Sequence, residues 1–379
     1  MRLTSHTVAL KTKHGRRAVI PGLILTAVAV ASAFFACDGP EQNIKGWGWR
    51  QVFVFEENGG HIFLADLLET GDVVYICGSV KAAGGDAKAA VYRYRDNKMD
   101  AVFISPYEES DFDAIDYDGN AGFAIYAAGS KKENGNNRPY VVMFDGSNWT
   151  EIAVPAFVKG PGFREAAVAG PFGYWANNGL YVYSYRDGEW RERLRTNYPP
   201  FFLTWLAASN DGHIYICRED YEEDIVILVS DNGGASWAEE RPEINGGAYH
   251  CDYITAAKGG PYGYFLTAKL GNNARHHEME YFGVITRAPA SAGSGVFELA
   301  YMAPRGPRIY DLSALAFRSE NEGYATGSLT SVKRDRGQWY QETVPAFTPA
   351  FEAISAGSSG YWAVSNDGDG NPPALWLAE

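Results

Sequence analysis

The sequence predicts an all-β fold built from repeated four-stranded antiparallel sheets, and three observations carry that prediction. The 379 residues include 14% aromatic residues and 42 glycines, a composition typical of turn-rich β proteins. Apolar strand-like segments recur at intervals of about 40 to 60 residues, as in solenoids and propellers. Tryptophan followed two residues later by Glu or Gln recurs with them, and Met99 and Val296 stand where further copies are expected; the tryptophans are Trp49, Trp149, Trp190, Trp237 and Trp339.

Each repeat begins with a short apolar strand, passes a turn containing Gly or Asp, and continues into an aromatic-rich second strand. Seven such pairs are visible, with first strands near residues 65, 112, 166, 203, 253, 312 and 351. Most are followed by a third strand and by a tight turn into a fourth. The fourth strand ends near a proline in most units, and proline, which cannot donate to a β ladder, belongs at an outer edge.

The last repeat is incomplete, and the N-terminal part of the chain supplies its missing piece. Residues 374–378 offer a third strand with nothing after it, whereas residues 47–54 have the signature of a fourth strand. Joining the two ends leaves no unpaired sheet edge. The sequence therefore predicts a single domain over residues 47–379, a seven-bladed β-propeller whose last blade is closed by the N-terminal strand.

Residues 1–36 do not fit this fold and have the pattern of an export signal. Five basic residues and no acidic residue precede an apolar stretch over residues 18–36. The end of the stretch resembles a bacterial lipobox, in which Cys37 would be lipidated, although Phe34 and Phe35 depart from the usual residues. The alternatives are cleavage after residues 31–33 and an uncleaved anchor. All three predict an extracytoplasmic protein, periplasmic or on the cell surface; with lipidation, residues 37–46 form a short tether and the lipid is the only membrane contact.

The charge excludes one class of partner. Without residues 1–36 the chain keeps 28 basic and 46 acidic residues, a formal charge of −18. Nucleic-acid binding needs a basic surface, so it is not expected. A basic partner is compatible with this charge, and we expect a monomer.

Three cysteines remain if Cys37 carries lipid. Cys77 and Cys217 occupy the same place in two repeats, and we expect both to be buried apolar residues. A bridge between Cys217 and Cys251 is an open alternative.

One hairpin carries a family motif, with the pattern S-x-N-x-G-x-S-W. It resembles the Asp-box of sialidase-like (BNR) propellers, with Asn in place of Asp and Ser in place of Thr; its residues are Ser230, Asn232, Gly234, Ser236 and Trp237. In that family the motif is a folding element away from the active site. The whole pattern, a propeller behind an export signal, also resembles bacterial propellers of the photosystem II assembly and stability factor type, which implies a scaffold or assembly role.

Catalysis is less favoured than binding. A sialidase-like hydrolase requires three arginines, a Tyr/Glu pair and an acid, for which the sequence offers Arg164, Glu165, Arg305, Arg308 and Tyr310, but the family motif is missing from the first blade. We assign no catalytic residue, cofactor or metal. Residues 276–280 are read as a solvated loop, and residues 367–371 as a hairpin in which calcium is an open alternative.

The binding hypothesis places the site on the loops that join one blade to the next. Aromatic residues and arginines collect there, and these residue types are enriched in interfaces. The sequence therefore predicts an exported, lipid-anchored, non-catalytic binding or scaffold module of the bacterial cell envelope, with a protein or glycan partner; a sialidase-like glycoside hydrolase or carbohydrate-binding propeller is the alternative. The candidate binding residues are Tyr198, Tyr249, His250, Arg305, Arg308, Tyr310 and Phe347, with Tyr107 and Phe157 on the same face.

Overall fold

The computed structural model consists almost entirely of β-strands joined by turns. The N-terminal segment that resembles an export signal, and Cys37, lie outside the described residues. For residues 44, 45, 202, 219, 225 and the strand residues of 249–298, the backbone is described and the side chains are not. Among the described residues the one helical segment is a 3-10 turn at Gly170–Phe172, and no helix is long and apolar enough to cross a bilayer. The structure describes residues 44–45, 48–55, 60–119, 123–196, 202–209, 212–219, 225–241, 249–260, 263–272, 281–287, 297–302, 312–319, 321–327, 330–342, 351–366 and 372–379.

Two short strands at the start of the described chain, β1 (Ile44–Lys45) and β2 (Trp49–Val54), belong to sheets formed by the C-terminal part. The next twelve strands form three four-stranded antiparallel sheets. Sheet 1 contains β3 (His61–Thr70), β4 (Val73–Lys81), β5 (Ala87–Arg95) and β6 (Lys98–Ile104). Sheet 2 contains β7 (Ser110–Asp118), β8 (Ala124–Glu133), β9 (Asn136–Phe144) and β10 (Trp149–Glu151), and sheet 3 contains β11 (Glu165–Val168), β12 (Tyr174–Asn177), β13 (Tyr181–Arg186) and β14 (Glu189–Arg195).

The following eight strands form two more sheets of the same form. Sheet 4 contains β15 (Phe202–Ala208), β16 (Ile214–Glu219), β17 (Ile225–Ser230) and β18 (Ala238–Glu240). Sheet 5 contains β19 (Tyr249–Gly260), β20 (Gly263–Asn272), β21 (Tyr281–Arg287) and β22 (Phe297–Met302).

The last two sheets take up the N-terminal strands. Sheet 6 contains β23 (Ala314–Ser319), β24 (Glu322–Thr326), β25 (Ser331–Asp335) and β26 (Gln338–Glu342), and β1 pairs in parallel with β26 as its fifth strand. Sheet 7 contains β27 (Phe351–Ala356), β28 (Tyr361–Ser365) and β29 (Ala374–Ala378), and β2 completes it by pairing antiparallel with β29.

The strand pairing corrects one part of the sequence prediction. Six sheets have the predicted four-stranded antiparallel form, not seven, because sheet 6 has a fifth, parallel strand. That strand lies within residues 37–46, for which the sequence predicted a short tether. The closure of sheet 7 by β2 agrees with the prediction.

The first strands of the sheets form the innermost layer of a ring. β3 contacts β7, and the contacts continue through β11, β15, β19 and β23 to β27, which contacts β3 again. Because each first strand touches the first strands of both neighbours, these strands surround the central channel. This is the arrangement of a β-propeller, and the predicted fold class is confirmed at that level.

The recurring tryptophans lie at the joints between sheets, where they pack against the preceding sheet. Trp149 of sheet 2 packs against Phe103 of sheet 1, with ring centroids 6.0 Å apart. Trp190 of sheet 3 is buried and donates its indole N–H to Ala153 O at 3.1 Å. Trp237 meets Trp175 of sheet 3, Trp339 meets Tyr301 of sheet 5, and Trp49 meets Tyr324 of sheet 6. The repeat that identifies the fold therefore joins the sheets to one another.

The joint between the chain ends has additional polar contacts. The buried Glu342 carboxyl of β26 accepts hydrogen bonds from Tyr324 Oη (3.0 Å) and Ser331 Oγ (2.7 Å) and from the backbone N–H of Gly48. Burial raises the pKa of this carboxyl, and the hydrogen bonds oppose the rise. On the other side of sheet 7, Glu69 accepts hydrogen bonds from Ser358 and Ser359. These contacts fasten the sheet that the two chain ends build together.

Cys77 and Cys217 are both fully buried, as predicted. Burial raises the pKa of the Cys77 thiol well above its usual value. The side chain of Cys251 lies outside the described residues, so its pairing stays a prediction.

Candidate binding site at the channel mouth

An extra residue interrupts the first strand of each sheet at an equivalent place. In sheets 1, 2, 4, 5 and 7 the register with the second strand slips by one residue, which is a β-bulge. In sheet 3 the N–H of Arg164 bonds to Asn177 O, although Asn177 is already paired with Glu165. In sheet 6 the N–H of Ser313 bonds in the same way to Thr326 O, although Thr326 is already paired with Ala314. We call the set the bulge ring; its members are Ala65, Asp113, Arg164, Thr204, Asp252, Ser313 and Glu352.

Burial alternates sharply at the bulge ring. The residue before each described member is apolar and at most 3% exposed: Leu64, Phe112, Phe163, Leu203, Leu312 and Phe351. The bulge-ring side chains themselves are half-buried or exposed, except that the side chain of Asp252 is not described. The apolar residue anchors each first strand, and the bulge leaves the following side chain partly exposed on the innermost strand.

The bulge ring lies close to where each first strand begins, next to the segment arriving from the preceding sheet. Asp113 is the fourth residue of β7, and Arg164 immediately precedes β11. The ring therefore lies toward the channel end on the same face as the predicted binding loops. We call this region the channel mouth.

Two aspartates of the first strands are occupied in holding neighbouring sheets together. Asp66 accepts the N–H of Leu67 at 2.8 Å with one oxygen and the N–H of Ile115, in the next sheet, at 3.0 Å with the other. Asp116 repeats the arrangement with Tyr117 (2.8 Å) and Val168 (2.6 Å). First strands are sheet edges, so their N–H groups lack ladder partners at the joint, and these carboxylates satisfy them.

Asp113 lies on the same strand as Asp116 and has no such role. Its carboxylate makes no hydrogen bond to any residue that the structure describes. Burial, and secondly the neighbouring Asp111 carboxylate, raise the pKa of Asp113 to about 7, while the Arg164 guanidinium opposes the rise. Asp111 accepts hydrogen bonds from Ser130 N (2.9 Å) and Ser130 Oγ (2.7 Å). Asp113 is therefore a half-buried acid close to its titration midpoint at neutral pH, beside an exposed arginine.

Glu352 is the second described carboxylate of the bulge ring. Its side chain is exposed, yet protein atoms around the carboxyl raise its pKa, and a hydrogen bond from Asn366 opposes the rise. Asn366 also bonds both the N–H (2.7 Å) and the carbonyl (2.9 Å) of Leu64, which joins sheet 7 to sheet 1.

Most of the predicted binding residues cannot be placed. Tyr198, Arg305, Arg308, Tyr310 and Phe347 lie outside the described residues, and Tyr249 and His250 are described only as backbone at the start of β19. They remain predictions, as does a sialidase-like constellation, of which only Arg164 and Glu165 are described.

Tyr107, which the sequence placed on the binding face, instead belongs to an internal cluster. Its hydroxyl donates to Glu151 Oε2 at 2.9 Å, and Lys131 Nζ lies 3.9 Å from its ring centroid. The same Lys131, with a side chain only 9% exposed, bonds Glu151 Oε1 at 2.6 Å, and Tyr140 lies on its other side. Burial lowers the pKa of Lys131, but its hydrogen bonds to Glu151 and Tyr107 together outweigh this effect and raise the pKa. This cluster fixes the loop before β7. Phe157, by contrast, is 46% exposed and remains available for contact.

The Asp-box-like hairpin joins β17 to β18 on the outer side of sheet 4. Asn232 Oδ1 accepts the N–H of Ser236 at 3.0 Å, and its Nδ2 donates to Ser236 Oγ at 2.6 Å. Ser230 Oγ accepts the N–H of Gly234 at 2.8 Å. Gly234 has φ +75°, and an added Cβ would lie 2.5 Å from Trp175, so only glycine fits. The geometry is that of a local folding element.

Sequence reasoning missed Asp113, Thr204 and Glu352. The available signal was the polar residue that follows the first apolar residue of each first strand, visible only after the repeats are aligned on their bulges. As for metals, no group of three or more His, Cys, Asp or Glu side chains suited to an ion occurs within the described residues. Residues 276–280 and 367–371 lie outside them.

No protein-family model matches the sequence, and no curated protein matches it. Solved structures do match. A structure of YCF48 bound to D1 peptide covers 89% of this chain and 100% of its own, with TM-score 0.58 and 13% identity. Virginiamycin B lyase from Staphylococcus aureus covers 87% of this chain and 99% of its own, with TM-score 0.60 and 10% identity. At such identities the likeness concerns the fold alone.

Proposed function

We propose that this chain is a non-catalytic binding or scaffold propeller of the bacterial cell envelope that binds a polypeptide at its channel mouth. The observation that carries the proposal is the bulge ring. At the six positions whose side chains are described, the bulge ring carries residues that differ in charge and size, while the residue before each of them is always a buried apolar one. Positions with a structural role carry the same type of residue from sheet to sheet, whereas the bulge-ring positions carry different residue types. Such variation is the pattern of a surface adapted to a ligand.

The similar structures are compatible with this proposal without deciding it. One is of a protein bound to a peptide and the other is of a lyase, so the fold accommodates both binding and catalysis. Binding is favoured because the channel mouth carries acidic, basic and uncharged side chains. Among the described residues it does not bring together a nucleophile, a base and an orienting group.

Cross-linking tests the site. A photoreactive residue at position 204, on the bulge ring, should capture envelope polypeptides in cells, and the same residue at position 187, in an outer hairpin, should not. The two positions share one protein and one expression level, so equal capture from both would contradict a specific site at the channel mouth.

We also propose export and lipid anchoring through Cys37, supported by the basic and apolar character of residues 1–36. Metabolic labelling with a fatty acid should mark the wild-type protein and not Cys37→Ser. Replacing residues 1–36 by the signal peptide of a soluble periplasmic protein, with Cys37→Ser, provides the control and should release the propeller from the membrane fraction. Labelling that persists in Cys37→Ser would overturn the anchoring proposal.

A further inference from the structure

We infer that the channel mouth between sheets 1 and 3 recognises a cationic side chain of its polypeptide partner, with Asp113 as the anion that pairs with it. This inference rests on the proposed function and names the chemistry of the partner. It depends on the difference between Asp113 and the other described acidic residues of the first strands.

Those other acidic residues are committed to internal contacts. Asp66 and Asp116 each accept two backbone N–H groups across a joint, Asp111 accepts two hydrogen bonds from Ser130, and Glu69 accepts from Ser358 and Ser359. Asp113 accepts no hydrogen bond from a described residue, although it is half-buried at a bulge of an innermost strand. Removing it would leave no described donor unsatisfied, so fold stability does not explain an acid at this position.

The environment of Asp113 disfavours its charge in the free protein. Burial and the Asp111 carboxylate both oppose ionisation, and Arg164 compensates only in part. A ligand cation placed beside the carboxylate would remove this penalty and would bind the ionised form better than the neutral form. The described side chains of the bulge ring include two carboxylates and one guanidinium, so the channel mouth attracts cations more than anions.

Two exposed phenylalanines indicate a polypeptide rather than a free cation. Phe63, on β3 in sheet 1, is 48% exposed, and Phe157, in the segment leading to sheet 3, is 46% exposed. They belong to the sheet and the connecting segment on either side of sheet 2 along the chain, and exposed aromatic side chains are suited to the residues around a lysine or arginine. A bare metal ion would instead require several converging ligands, which the described residues do not provide.

The test uses short end-capped peptides of glycine and serine that carry two lysines, two glutamates or two glutamines. Fluorescence anisotropy with the purified propeller should show the lysine peptide binding most tightly. Asp113→Asn should weaken its affinity at least about tenfold, which corresponds to about 1.4 kcal/mol. Asp187→Asn, the same change of charge on an exposed outer hairpin, should leave the affinity within about twofold.

A second readout does not depend on any variant. Calorimetry of the wild-type protein near pH 7, in buffers of different ionisation enthalpy, should detect proton release on binding of the lysine peptide, because Asp113 is about half protonated there. Equal binding of all three peptides, unchanged by Asp113→Asn, would overturn the inference and leave the proposed function standing. No binding of any peptide up to about 1 mM would also overturn it, and the cross-linking experiment would then decide the proposed function by itself.

Discussion

The outer hairpins and the channel mouth follow opposite rules. In the outer hairpins one residue type recurs from sheet to sheet, and Trp190, for example, is buried against Phe163 and bonded to the preceding sheet. At the channel mouth the backbone position recurs while the side chain changes, from Asp113 to Arg164 to Thr204. Repetition marks the residues that hold the propeller together, and we propose that variation at a repeated position marks the surface that contacts a ligand.

Among the substitutions that test this comparison, Trp190→Ala should change the free energy of unfolding most. The change removes a stacked, buried indole and its hydrogen bond at the joint of sheets 2 and 3, so we expect a loss of about 3–5 kcal/mol in the free energy of unfolding. Urea unfolding measures it. Arg191→Ala, on the same strand in an exposed ion pair, is the control and should change stability by less than about 0.5 kcal/mol. A loss below about 1 kcal/mol for Trp190→Ala would contradict the structural role of the recurring tryptophans.

Two aspartates of β7 should respond in opposite directions. Asp116→Ala leaves the N–H groups of Tyr117 and Val168 without their acceptor, so we expect a loss of about 1–3 kcal/mol, measured by the same unfolding experiment. Because Asp113 has no described hydrogen-bond partner, its replacement should not destabilise the protein. Equal destabilisation by both substitutions would remove the distinction on which the binding site rests.

The pH dependence of the free energy of unfolding is a sharper test of the difference between Asp113 and Asp116. The pKa of Asp113 is raised from its ordinary value to about 7 in the folded protein, so its contribution favours folding at low pH and is lost as the pH rises toward and through 7. Asp113→Asn lacks this dependence. We expect the variant to be more stable than the wild type by about 1–3 kcal/mol near pH 8 and equally stable near pH 3. Chemical unfolding at several pH values checks this, and a constant difference across that range would contradict it.

The smallest effect concerns the Asp-box-like hairpin. Asn232→Ala removes the acceptor of the Ser236 N–H, and we expect a loss of about 1 kcal/mol with no effect on peptide binding. Asp231→Asn, at the exposed neighbouring position, is the control. Weakened peptide binding in Asn232→Ala would show that the outer hairpins also contribute to recognition.

The sequence predicted the strongly repeated part of the structure. Alternating apolar strands, the tryptophan repeat and the split last repeat were sufficient for the propeller and for its closure by β2. The parallel strand β1 was not foreseen, because two residues carry no recognisable periodicity and their pairing depends on the edge of β26. The buried Lys131 was missed for a related reason. Its ion pair with Glu151 and its contact with the Tyr107 ring join residues from separate strands and a loop, and nothing in the local sequence reports these contacts.

The channel mouth could not be predicted from the sequence because the register shifts at the bulges are not visible there. Asp113 and Asp116 appear in the sequence as similar acids of one strand, and only the structure shows that Asp116 bonds the backbone of the next sheet while Asp113 lies at the bulge. Aromatic and arginine content directed attention to the loops, yet Tyr107 is occupied internally. Burial and hydrogen bonding, which depend on the assembled ring, separate structural residues from available ones.

We propose that Asp113 pairs with a cationic ligand, and the titration of Asp113 itself tests this proposal most directly. Carboxyl carbon NMR, with the signal assigned through Asp113→Asn, would follow the residue in the free protein and with a saturating lysine peptide. We predict a midpoint near pH 7 in the free protein that falls by at least about one pH unit when the peptide binds. A midpoint near the ordinary aspartate value that does not move on addition of the peptide would contradict the account.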